Sequence, residues 1–161
     1  MKAKTKNVWL LVFSLALPLL VGFLGSVFIK SNIAAWLICL EKPAFSPPNW
    51  LFIPVWIILL VLIGLAFYLI LRDGKNSRYF DKAVIFFVAQ LILILYWPLL
   101  FFYVYSPFFA FLDIFLLLVI VIFNFYYFYK IKKTAAYLLL PQVIWVTFAT
   151  VLNYFVCLLN Y

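Results

Sequence analysis

Five long stretches of this chain carry no charged side chain: residues 7–29, 43–71, 83–112, 114–129 and 134–161. Crossing the ~30 Å hydrocarbon core of a bilayer takes ~20 helical residues at ~1.5 Å each. The stretch 83–129 is interrupted only by Asp113 and is too long for one crossing. It breaks at "YSPF" (105–108), because proline disfavours helix in the residue before it. Five spans follow, near 7–29, 50–72, 81–104, 107–129 and 134–159. Lipid admits only helices and closed barrels, and these runs are continuous rather than alternating, which selects helices. The expected fold is an all-α membrane protein, a five-transmembrane-helix bundle forming one domain over residues 1–161. Composition agrees: 71% of residues are hydrophobic and 10% charged, against about 25% charged in a soluble domain.

Five spans put the termini on opposite sides. One side collects Lys2, Lys4, Lys6, Arg72, Lys75, Arg78, Lys82, Lys130, Lys132 and Lys133; the other has only Lys30 and Lys42. The positive-inside bias makes the N-terminus cytoplasmic and the C-terminus and first loop external. The net charge of +8 is thereby accounted for by topology and anionic head groups, with no nucleic-acid partner needed. The first span is longer than a signal-peptide core and lacks a clear A-x-A site, so it is expected to stay as an anchor.

Much chemistry is excluded. The chain has no histidine, no C-x-x-C, no G-x-S-x-G and no phosphate-binding glycine loop. No metal site is expected. Cys39 and Cys157 both fall near the outer face, where a disulfide is permitted; the plainer reading is two small buried hydrophobes. Asp113 is the one acid inside a span. Such a carboxylate is either a proton or cation site or a strut, protonated or hydrogen-bonded, tying the fourth span to its neighbours. The strut is the favoured reading.

The first loop, residues 31–49, contains "EKPAFSPPNW" (41–50 with Trp50). "AAWLICLEK" forms a short helix ended by Pro43. "SPP" makes a stiff extended corner. Asn49 suits an N-cap for the second span. The segment reads as a folded lid, with Trp36, Phe45, Trp50 and Trp56 facing the membrane interface or a cavity beneath.

This stretch resembles the translocator protein / tryptophan-rich sensory protein family (TspO/MBR). Trp36, Leu40, Lys42, Pro43, Phe45, Pro47, Pro48, Trp50, Phe52 and Trp56 match the family pattern in register. "QLILILYWPLLFF" (90–102), "AFLDIFLLLV" (110–119) and "AAYLLLPQVIWVTFATVLNYFVCLLN" (135–160) are similar to its later motifs, in order and at family spacing. The resemblance implies five helices around a pocket for tetrapyrroles such as protoporphyrin IX or haem, bound as ligand rather than required as cofactor. It also implies a homodimer and, through bacterial relatives, residence in a bacterial cytoplasmic membrane. Alternatives are tryptophan-dependent porphyrin degradation through Trp56 and Trp145, and ion-coupled transport through Asp113.

By the same resemblance the pocket tryptophans are Trp56 and Trp145, joined by Trp97, Ala149 and Asn153, with Phe148 and Phe109 as further rings. Trp145, Ala149 and Asn153 step at i, i+4, i+8 and share one helical stripe. The lid positions are Trp36, Lys42, Pro43, Phe45, Pro47, Pro48 and Trp50. Departures from the pattern are Ile94-Leu95 for an Asn-Trp pair, Gln142 for a tyrosine and Leu37 for an aromatic. The sterol motif is absent from its family position, since no Lys or Arg follows Tyr154.

Overall fold

A computed structural model describes residues 2–28 and 33–161. The helices are α1 (Lys2–Ser26), α2 (Ile33–Cys39), α3 (Asn49–Asp73), α4 (Phe80–Pro98), α5 (Pro107–Ile131) and α6 (Lys133–Leu159), with a π turn over Leu99–Tyr103 continuing α4. Among the described residues five helices are long and apolar enough to cross a membrane: α1 from Asn7, α3, α4 with its π turn, α5 and α6. The protein is an integral, multi-pass membrane protein. Among the described residues there is no strand.

Neighbouring pairs are α1–α3, α3–α6, α6–α5, α5–α4 and α4–α1, which closes a ring. Lipid gives apolar helices no hydrophobic reason to associate, so close packing has to hold them together. Small residues supply it: Ala66, Ala83, Ala110, Ala135 and Ala136 are fully buried. At Gly64 the approach is closest, because a methyl group there would lie 2.8 Å from the Ser14 carbonyl oxygen of α1. Phe67 and Phe87 stack across α3 and α4 with centroids 3.6 Å apart. Outside the ring, Ile85, Phe115, Ile122 and Ile144 are exposed, as suits side chains solvated by lipid.

The connections at the end away from the lid are short. One extended residue, Lys132, joins α5 to α6, and its ammonium pairs with Asp73 at the end of α3. At the other end, Pro107 opens α5 with Ser106 as N-cap, accepting from the Phe109 N–H at 3.4 Å. Asn49 is the first residue of α3 rather than its cap. Pro48 precedes it in extended conformation, and no side-chain cap bond forms.

Some expectations for buried polar groups change. Asp113 is buried, but its Oδ2 has no hydrogen-bond partner among the described residues, so no hydrogen-bonded strut forms there. Thr150 of α6, which reaches α5 one residue along, donates instead to the carbonyls of Val146 (2.7 Å) and Ile114 (3.4 Å). Gln142 is buried with both amide atoms unpartnered, as are Gln90 and Asn124. Cys39 and Cys157 are both free thiols, and Cys39 is exposed rather than buried, because Trp36, Leu37 and Leu40 are the residues of this segment that pack inward.

Candidate functional site

At the lid end of the ring lies a cavity of about 600 Å³. Its walls come from α1 (Leu19, Gly22, Phe23, Gly25), α3 (Phe52, Trp56, Leu60), α4 and the π turn (Ile94, Trp97, Phe101, Phe102) and α6 (Leu152, Asn153, Val156). Leu37, Leu40, Lys42, Ser46 and Pro47 of the lid segment complete it.

Local sequence explains each wall. Gly22 and Gly25 let α1 approach: a methyl on Gly22 would meet Leu60 at 2.4 Å, and one on Gly25 would meet Pro98 at 3.2 Å. The π turn lies just after Pro98 and contains Phe101 and Phe102, both on the cavity. Its i→i+5 pattern shows in the Val104 N–H bonding to Leu99 oxygen at 2.9 Å. Trp97 stacks on Phe101 at 4.9 Å and donates its indole N–H to Asn153 Oδ1 at 3.2 Å. Asn153 in turn donates to the Ala149 carbonyl at 2.8 Å, so both polar groups of this wall are satisfied.

The lid is a packed element. Leu40 inserts among Phe101, Ala110, Leu152 and Val156. Trp36 lies edge-on to Phe101 at 4.8 Å and beside Tyr105 at 5.3 Å. Tyr105 itself has φ of 58°, a left-handed backbone at the corner between the π turn and α5. Phe45 packs against Phe155 (5.5 Å) and Phe148 (6.5 Å) of α6. A clasp closes the lid onto the end of α6: the Glu41 N–H donates to Asn160 Oδ1 at 3.0 Å, and Asn160 Nδ2 donates to the Glu41 carbonyl at 2.9 Å.

Trp56, Trp97 and Asn153 thus meet at one cavity, with Lys42 and Pro47 above them. Trp145, Ala149, Phe148 and Phe109 are not among its described lining residues. Phe52 occupies the wall, and Trp145 packs against it at 5.8 Å and against Phe148 at 5.6 Å. The Trp145 indole N–H has no hydrogen-bond partner among the described residues. Phe109 is exposed beside Phe108, because the inward stripe of α5 runs through Pro107, Ala110, Asp113, Ile114 and Leu117 and leaves residue 109 on the lipid face. Trp50 is exposed, and Pro43 and Pro48 shape the lid without lining the cavity. Ile94, one of the two departures on the third span, sits in the wall, so an apolar side chain stands where the family pattern has an asparagine.

Two contributors have no counterpart in the sequence reading. One is the α1 wall, whose signal is the pair Gly22 and Gly25, three residues apart on one face. The other is Asn160, the last residue of the matched motif.

The sequence pattern of the TspO/MBR family matches residues 14–159. The chain belongs to the TspO/MBR family. It is 40% identical over 154 residues to the tryptophan-rich protein TspO of Archaeoglobus fulgidus, covering 96% of this chain and 99% of that one. It is 36% identical over 155 residues to the tryptophan-rich protein TspO of Chlorobaculum tepidum, covering 96% and 98%. The human translocator protein is 33% identical over 145 residues, covering 88% and 84%. Membership of the TspO/MBR family supports a receptor or carrier role in the membrane.

Proposed function

We propose that the protein is a membrane receptor or carrier for tetrapyrroles, with protoporphyrin IX or haem held in the lid-end cavity. One observation carries this reading: an apolar cavity of about 600 Å³ lined by the rings of Phe52, Trp56, Trp97, Phe101 and Phe102 beneath a proline-stiffened lid. Its volume falls within the ~300–1,000 Å³ typical of ligand sites. Flat, largely apolar macrocycles stack on such rings, and each aromatic pair contributes ~0.5–1.5 kcal/mol beyond its area burial. The lid would sit on the external side with the C-terminus, since seven basic residues from Arg72 to Lys133 gather at the opposite end.

Breakdown of the porphyrin through Trp56 and Trp145 has less support than binding, because only Trp56 is in the cavity wall. The test is titration of protoporphyrin IX into the purified protein in nanodiscs, in darkness, followed by illumination and product analysis. Trp56→Ala is expected to weaken binding by at least roughly 2–13-fold, the loss of one ring contact at ~1.4 kcal/mol per tenfold. Wild-type affinity in Trp56→Ala would refute the pocket. Bleaching that requires Trp56 in the light would favour the enzyme.

A further inference from the structure

The cavity is apolar on nearly every side, and its polar groups are unequal. Asn153, within the wall, is already used by Trp97 and by the Ala149 carbonyl. Lys42, in the lid segment, is the one charged residue among the described lining residues. It is exposed, and no described residue pairs with it through a hydrogen bond or a salt bridge. Its neighbour Glu41 is fixed by its backbone to Asn160 and does not line the cavity. Asn49, also on the lining, begins α3, whose first turn holds no acid, so the helix field at this rim has the same sign as Lys42.

An occupant therefore meets carbon surface over its body and one uncompensated cation at the lid. From this we infer that the cavity selects amphipathic anions: a flat apolar body seated between Trp56 and Trp97, with a carboxylate turned toward the lid and paired with Lys42 Nζ. This deepens the function proposed above by naming the ligand's polar end and the residue that reads it. A neutral ligand of the same shape would fill the same walls and leave the lysine unpaired. A phosphate from a lipid head group offers the same oxyanion chemistry, and the test separates the two sources.

The experiment compares acids with their methyl esters in phosphatidylcholine nanodiscs. Two pairs of probes are used: protoporphyrin IX with its dimethyl ester, and pyrenebutyric acid with its methyl ester. Wild type should prefer each acid by about three- to tenfold, between a screened surface pair and a charge-assisted hydrogen bond. The preference should shrink as salt rises, because the pair is exposed. Lys42→Met should bring the acid-to-ester ratio close to one, chiefly by weakening the acid, with an unchanged melting temperature in detergent showing that the fold is intact. Lys42→Arg should restore the preference. An acid preference that survives in Lys42→Met, or none in wild type, overturns the inference; the first result would give the carboxylate another partner, and the second would assign Lys42 to lipid phosphate. Pyrene acid selection without any porphyrin binding would uphold the inference and sink the tetrapyrrole reading. Failure of all four probes to bind would overturn both.

Discussion

Asn160→Ala removes the clasp that fastens the lid to α6. The side-chain amide makes two bonds to the Glu41 backbone, at 3.0 and 2.9 Å, and a third to the Val156 carbonyl within its own helix end. Only the first two hold the lid. Each net hydrogen bond is worth about 0.5–1.5 kcal/mol, so losing both shifts lid opening by ~1–3 kcal/mol, or roughly 5- to 140-fold. Both bonds to Glu41 are exposed to solvent, which competes for the groups and places the effect at the lower end, near fivefold. Asn160→Asp keeps an acceptor for the Glu41 N–H but sets a second oxygen against the Glu41 carbonyl, so it should open the lid at least as much. Hydrogen exchange read by mass spectrometry over residues 37–46 measures the opening without any ligand. Exchange there should quicken by about fivefold in both variants while peptides from the middle of α5 stay unchanged. Protoporphyrin release, followed by stopped flow, should quicken by the same factor. Unaltered exchange around Glu41 in Asn160→Ala would refute the clasp, because a lid held by Leu40 and Phe45 alone would not respond.

Gly64→Ala should lower thermal stability in detergent by about 1–3 kcal/mol, since its methyl group would lie 2.8 Å from the Ser14 oxygen and 3.0 Å from the Leu15 Cα; an unchanged melting temperature would mean that α1 and α3 are not so close. Asp113→Leu should leave stability equal or higher, because the carboxylate it replaces is buried with Oδ2 unpartnered. A marked loss on melting would reinstate the strut, and uptake lost in Asp113→Asn with folding and binding intact would favour ion coupling. Reporter fusions after Asn76 and Lys132 should read cytoplasmic and those after Pro48 and Tyr161 external; an internal lid would reverse the topology.

The number of spans, their helical nature and the proline corner of the lid were legible in the sequence because each follows from local rules. Hydrocarbon forces every backbone group into its own helix, and charged side chains are costly within it, so span limits are written in the charge pattern, with Asp113 inside a span as the exception. The family pattern, too, is a matter of spacing along the chain. Trp56, Trp97 and Asn153 were found from it, and they do converge on one cavity. What spacing could not decide is which residue of a helix stripe stands in front of another. Trp145 shares a stripe with Asn153, yet Phe52 from α3 takes the wall and Trp145 packs against it. That outcome depends on how α3 is rotated against α6. The α1 wall depends likewise on Gly22 and Gly25 meeting Leu60 and Pro98, residues far away in the chain. The clasp joins Glu41 to Asn160 across 119 positions, and no local signal marks an amide as the partner of a backbone it has yet to meet. Sequence set the helices and the lid, because those are properties of single segments in their solvent; packing among five helices set the cavity, because a wall exists only between segments.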